Sequence, residues 1–204
     1  MTNTPSTLFL RAAAVLLIAG GIAASCSRPV SMTDYIDPLV LVSSLKPVLC
    51  DGDVRISYAT AEILRTEDHS THRREIYYQK SLCTAGPDRR VVFEMEYTIA
   101  PDRVRVDYTI TPEGNPGQVS AWGLAWQPRG LKGLRYVGRG RQHGARTYAG
   151  GQQAARRALL DLWEGTLHVD GIHFIEADPD DPEEVLFLER GSAPFRGSLT
   201  FSLH

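Results

Sequence analysis

The stretch Val91-Val92-Phe93-Glu94-Met95-Glu96-Tyr97-Thr98-Ile99-Ala100-Pro101-Asp102-Arg103-Val104-Arg105-Val106-Asp107-Tyr108-Thr109-Ile110-Thr111 decides the fold class. In an extended chain Phe93, Met95, Tyr97 and Ile99 fall on one side, and Glu94, Glu96 and Thr98 fall on the other. Val104, Val106, Tyr108 and Ile110 alternate in the same way with Arg105, Asp107 and Thr109. A period of two is the signature of a strand with one face for a core and one for water. Between the two runs, Ala100-Pro101-Asp102-Arg103 is a turn in which proline pre-sets φ, so the pair reads as an antiparallel hairpin.

Outward from this hairpin, the same reading predicts strands over Val54 to Leu64, Ile76 to Leu82, Val119 to Trp126 and Leu134 to Val137. A longer turn, Pro112 to Gly117, joins the hairpin to the strand expected from Val119. Later strands are expected at Thr166 to Ile175, Val185 to Glu189 and Ser198 to Leu203. One amphipathic helix is expected from Gln152 to Trp163, with Ala154, Ala155, Ala158, Leu159, Leu162 and Trp163 on one stripe and Gly165 as its stop. The expected fold is mostly β: an antiparallel β-sandwich over 34–204 with that helix packed on it.

The N-terminus carries a different message. Apart from the terminus itself the first charge is Arg11, and Ala12 to Ser25 run apolar or small up to Cys26. That is a signal-peptide layout, and the run is shorter than the roughly 20 apolar residues a spanning helix needs. Ile22-Ala23-Ala24-Ser25-Cys26 resembles the lipobox of bacterial lipoproteins, with Ala23 where that family more often has leucine. The resemblance implies cleavage after residue 25, a lipid on Cys26, a tether over 26–33 and a place in the bacterial cell envelope. Ser27 after the cysteine implies the outer membrane, facing the periplasm. The competing reading is an ordinary secreted protein cut after an A-x-A-like site.

With Cys26 acylated, Cys50 and Cys83 remain of the three cysteines, an even number in an oxidising compartment, and they are expected to pair. Two buried free thiols are the alternative. Neither cysteine has the C-x-x-C or paired-histidine spacing of a zinc site, so no metal is expected. About 178 residues follow the signal, enough for one domain with a sizeable core. The formal net charge of -2, with both signs spread along the chain, gives no electrostatic case for nucleic acid.

No G-x-S-x-G, H-E-x-x-H or P-loop is present, and Gly138-Arg139-Gly140 does not complete a dinucleotide motif. No cofactor is expected. Three groups of residues remain. A basic loop holds Arg135, Arg139, Arg141, His143 and Arg146 near Tyr136 and Tyr148, where guanidinium forks and aromatic faces suit sugars or anions. A second group is His168, Asp170 and His173; on one straight strand His168 and Asp170 share a face while His173 takes the other. Finally, Glu176 to Glu184 is acidic but lacks EF-hand spacing, and its default reading is a solvated loop, with calcium binding as the alternative.

Trp122-Gly123-Leu124, Leu134 to Gly140, Glu164-Gly165-Thr166 and Val169-Asp170-Gly171-Ile172-His173 together resemble the C-terminal small-chain domain of large β-galactosidases, a galactose-mutarotase-like sandwich. Arg141, His143 and Ala145 stand where that family has proline, glutamate and tyrosine, and Pro182 and Glu183 follow Asp180-Asp181 where it has serine and tryptophan. The resemblance implies a sugar-binding or scaffolding module without the catalytic barrel.

The sequence therefore predicts a non-catalytic carbohydrate-binding lipoprotein with a site built from Arg139, Arg141, His143, Tyr148, His168, Asp170 and His173. Two alternatives stand beside it: a structural or assembly lipoprotein that binds an envelope protein, and a small sugar-active enzyme using His168 or His173 as base. An exposed aromatic platform favours the first, an uncovered long strand edge the second, and a closed pocket with a shifted histidine the third.

Overall fold

A computed structural model describes residue 32 and residues 36–52, 54–72, 74–138, 141–143, 153–162, 165–177 and 184–203, all within the compact unit Ser31–His204. The signal segment, Cys26 and the greater part of the acidic loop lie outside the described residues. Met32, inside the stretch expected to be a tether, is fully buried, and its N–H donates to the Pro101 carbonyl at 2.6 Å.

A single short helix is described, α1 (Pro38–Ser44). Asp37 caps it by accepting from the Leu39 N–H at 2.9 Å, and proline occupies its first position. Leu41 and Val42 face the core while Leu39 and Val40 stay exposed. The strands are β1 (Lys46–Asp51), β2 (Val54–Ser57), β3 (Ala59–Asp68), β4 (Glu75–Thr84), β5 (Arg90–Ala100), β6 (Arg103–Glu113), β7 (Ala121–Trp126), β8 (Gly133–Gly138), β9 (Arg141–His143), β10 (Gln153–Ala154), β11 (Arg157–Asp161), β12 (Thr166–Asp170), β13 (Phe174–Ala177), β14 (Val185–Glu189) and β15 (Phe195–Leu203). They form two antiparallel sheets, β10-β13-β14-β7-β1-β2 and β3-β4-β5-β6-β15-β12-β11-β8-β9. The mostly β expectation holds in this form.

The chain passes between the sheets at two instructive points. At buried Tyr58 the edge strand β2 of one sheet continues into the edge strand β3 of the other. After β12, Gly171 adopts φ +91°, where a side chain is strained, and a Cβ there would lie 2.2 Å from the Ser198 carbonyl oxygen. The expected single strand Thr166 to Ile175 is thus two strands in two different sheets.

The helix expected over Gln152 to Trp163 is absent. Its described part is β10 and β11, and β11 lies between β8 and β12, with Ala158 and Leu160 in the core and Arg157 and Asp161 outward. Alanine-rich sequence favours a helix locally, but two flanking strands satisfy this backbone as a ladder, and tertiary pairing overrides propensity.

Side chains from both sheets meet in one apolar cluster. Tyr108 of β6 packs edge-on against Trp122 of β7 at 6.1 Å, and Phe201 of β15 meets Trp126 at 5.6 Å and Phe187 of β14 at 6.0 Å between ring centroids. On its other face the six-stranded sheet carries a second buried cluster of mostly smaller side chains: Val48, Cys50, Ala121, Ala125, Leu186 and Leu188. Arg55 of β2 and Glu176 of β13 lie on this face, opposite Cys50 and Leu186 in register, and their side chains approach to 3.6 Å. In a flat sheet β2 and β13 are four strand spacings apart, roughly 19 Å, beyond the joint reach of the two side chains. The sheet is therefore curled about this cluster, and a concave face accommodates small residues best.

This curl also settles the cysteines. Cys50 points into the concave cluster and Cys83 into the shared core, so the expected disulfide is replaced by two separate buried thiols. Cys83, from the nine-stranded sheet, faces the core, while Cys50 leaves the far face of the six-stranded sheet, so that sheet stands between the two thiols.

Candidate functional site

The residues of the expected sugar site divide among three places. His168 and Asp170 lie on the outer face of the nine-stranded sheet, because Leu167 and Val169 between and beside them are in the core. Asp170 stands in register with Arg157 and Thr200, and Arg157 donates twice to it, at 2.6 and 3.0 Å. Further along the same face Arg135, diagonal to Asp161, donates twice to it, at 3.0 and 2.6 Å, and Thr166 donates to the same carboxylate at 2.8 Å. Burial alone would raise the Asp161 pKa, but the Arg135 and Thr166 hydrogen bonds and the Arg135 charge outweigh it and hold the carboxyl below its ordinary range. Asp170, a member of the expected sugar site, closes a cross-strand ion pair with Arg157.

Arg141 and His143 lie on edge strand β9, opposite Gly138 and Tyr136 in register. Arg139 and Tyr148 are outside the described residues. His173 lies beyond the Gly171 crossover, where its N–H donates to the Leu188 carbonyl of the six-stranded sheet. Of the expected site, the described side chains bring His168 and Asp170 onto one face and leave His173 apart from them. Nor is Glu176 part of a solvated loop: it is a buried member of β13 facing Arg55.

His173 instead marks a cluster that sequence reading missed. Its Nδ1 lies 3.7 Å from a carboxylate oxygen of Glu189. Glu189 shares a face with Trp122, and burial, partly opposed by His173, pushes its carboxyl pKa up. A Cβ on Gly197 would lie 2.5 Å from the Tyr108 hydroxyl and 2.7 Å from a Glu189 oxygen, so the missing side chain is what admits both groups. Among the described residues neither the Tyr108 hydroxyl nor the Trp122 indole nitrogen has a hydrogen-bond partner, and both are buried. Two donors and one reluctant carboxylate thus converge at the end of β14. No residue spacing announces them, because Tyr108, Trp122, Glu189 and Gly197 come from four strands.

Cys50 offers no chemistry. Burial, reinforced by Glu176 and opposed by Arg55, pushes its thiol up to about 11, so the nucleophilic thiolate is disfavoured at neutral pH. Near α1 an open groove is lined by Asp37, Leu39, His72, Arg74, Glu96 and Arg103, a mixture of signs that selects no single charge.

The least covered part of the described surface is the edge formed by β3. It is ten residues long, ends the nine-stranded sheet, and every residue but Glu67 is exposed. Ile63 is 57% and Leu64 46% exposed. Among the described residues the exposed large apolar side chains are Leu39, Val40, Val54, Ile63 and Leu64, all aliphatic, so none offers a ring for a sugar to stack on.

No protein-family model matches this chain, and no curated protein matches it.

Proposed function

We propose that this chain is a lipid-anchored envelope protein whose β domain serves as a binding module for protein, engaged through the β3 edge. The observation that carries the reading is the ten-residue edge strand with Ile63 and Leu64 exposed. An uncovered strand presents a row of backbone donors and acceptors to any extended segment, and aliphatic side chains beside that row add apolar contact area. The apolar run Ala12 to Ser25 and the cysteine directly after it support export and anchoring on Cys26, and Ser27 supports the outer membrane. We read the two sheets as a sandwich around the cluster they share, which makes the edge a rigid template.

The carbohydrate reading loses ground because Asp170 is held by Arg157 and the exposed large apolar side chains among the described residues are all aliphatic. The enzyme reading loses ground because His173 is exposed and the carboxylate beside His168 on its strand, Asp170, is held by Arg157.

Two measurements test the proposal. Cys26→Ser should release the protein from the membrane fraction and abolish incorporation of labelled palmitate. A photo-crosslinking amino acid at position 63 should give a protein adduct in intact cells, whereas the same group at Thr109, on the outer face away from the edge, should give none. Wild-type protein that fractionates as soluble refutes the anchor, and absence of any adduct at position 63 refutes the edge.

A further inference from the structure

The register of β3 identifies the partner more closely. Against β4, Thr60 stands opposite Cys83, Glu62 opposite Leu82, Ile63 opposite Ser81, Arg65 opposite Lys80 and Thr66 opposite Gln79. Register shifts leave Ala61 and Leu64 as extra residues. In a regular strand Glu62 and Arg65, three apart, would point to opposite faces. The extra residue Leu64 changes this: Leu82 and Lys80 are two apart on β4, so Glu62 and Arg65 share the outer face. Thr60, Ile63 and Thr66 share the other, the face of buried Ser81 and Cys83.

Read about Ile63, the strand is therefore symmetric in shape and complementary in charge. With Ala61 and Leu64 bulged out of the new ladder as they are out of the one with β4, a two-fold axis through Ile63, normal to the sheet, pairs Ile63 with its own copy, Glu62 with Arg65 twice, and Thr60 with Thr66 twice. No like charges face one another in this register. Direct cross-strand pairs of opposite charge and of threonines stabilise an antiparallel ladder, and an isologous two-fold contact is the commonest route to a dimer.

We propose that the occupant of the β3 edge is the β3 strand of a second copy of this chain, antiparallel and centred on Ile63, joining two nine-stranded sheets into one. The inference rests on the edge-binding reading above and narrows it. Arg65, which pairs with Glu67 on its own strand, then lies between Glu67 and Glu62 of the second copy. Opposite-charge contacts at an exposed edge are screened by salt, so association should weaken as ionic strength rises.

The test uses the full chain, detergent-solubilised from membranes, with mass read by light scattering and crosslinking read in cells. Wild type should run as a dimer. Glu62→Arg or Arg65→Glu alone should weaken association at least tenfold, and the double reversal should restore it to within about threefold. Ile63→Cys should form an intermolecular disulfide on mild oxidation, because directly opposite Cβ atoms lie roughly 4.5–5.5 Å apart. A monomeric wild type overturns the proposal, as do single reversals without effect or a double reversal that does not recover. If the position-63 crosslink yields an adduct with a different protein, the second copy is refuted while the edge-binding reading survives; if it yields none, both fall.

Discussion

Strands β7 and β14 on one side and β5 and β6 on the other obey different rules. All six positions of β7 and four of the five in β14 are buried, because the curled sheet has apolar clusters on both faces. In β5 and β6 buried and exposed positions alternate, and the outer face carries charge pairs such as Lys80 with Glu94 and Arg105 with Asp107. A strand with two dry faces tolerates little change anywhere along its length, while a strand with one wet face tolerates change at every second residue.

The largest effect should come from the doubly buried sheet. Phe187→Ala is expected to cost about 3–5 kcal/mol in urea unfolding, through lost burial and the cavity left beside Phe201. Gly123→Ala should be comparably damaging despite its single added carbon. Its Cβ would lie 2.0 Å from the Phe187 carbonyl oxygen, and backbone cannot step aside. If Gly123→Ala is tolerated like a surface substitution, the sheet is looser than that close approach requires.

The thiols sharpen the contrast at intermediate scale. In protein carrying Cys26→Ser, native Cys50 and Cys83 should resist a thiol reagent, and unfolding should expose two reactive thiols per chain. Burial raises the pKa of both. No thiols on unfolding would mean a disulfide and a different arrangement of the sheets. Cys50→Ser should cost about 1–3 kcal/mol, since a hydroxyl enters the concave apolar face.

A smaller effect is expected at Glu189. A carboxyl with a raised folded pKa binds its proton more tightly in the folded chain. It favours the fold fully below the pKa of the unfolded glutamate, roughly 4.3, and that contribution is lost as pH rises through the folded value. Glu189→Gln, neutral at every pH, should raise Tm at pH 7 and change it little below pH 4. A fall in Tm at pH 7 would show that the His173 contact outweighs the cost of burial.

The smallest effect belongs to the wet face. Arg105→Ala should alter stability by less than about 0.5 kcal/mol, because its ion pair with Asp107 is exposed. A larger loss would show that the outer ladder stabilises the fold as the buried faces do.

Legibility in the sequence follows this division only in part, since the doubly buried β7 and β14 are also read as strands, from Val119 to Trp126 and Val185 to Glu189. Strands β4, β5, β6 and β15 announce themselves because one wet face imposes alternation on the residues. β11 does not: Ala158, Leu159 and Leu160 are all buried, and the spacing of its apolar residues satisfies a helical stripe as well. β1 escapes sequence reading for a related reason, as four consecutive buried residues, Pro47 to Cys50, show no period. Within the candidate sugar site His168, Asp170 and His173 are close in sequence, yet the Gly171 crossover carries His173 to the border of the six-stranded sheet, away from the other two.

By itself the sequence determined that the described chain is built mainly of antiparallel strands, with the β5–β6 hairpin as its clearest part. Residues there meet core and water alternately, and each side chain's type records which it meets. Only the tertiary structure decided which sheet each strand joins, that Cys50 and Cys83 face different clusters, that Tyr108 and Glu189 meet at Gly197, and that β3 is left as an edge. Those outcomes depend on the curl of a sheet and on contacts between residues far apart in the chain, and no local pattern encodes either.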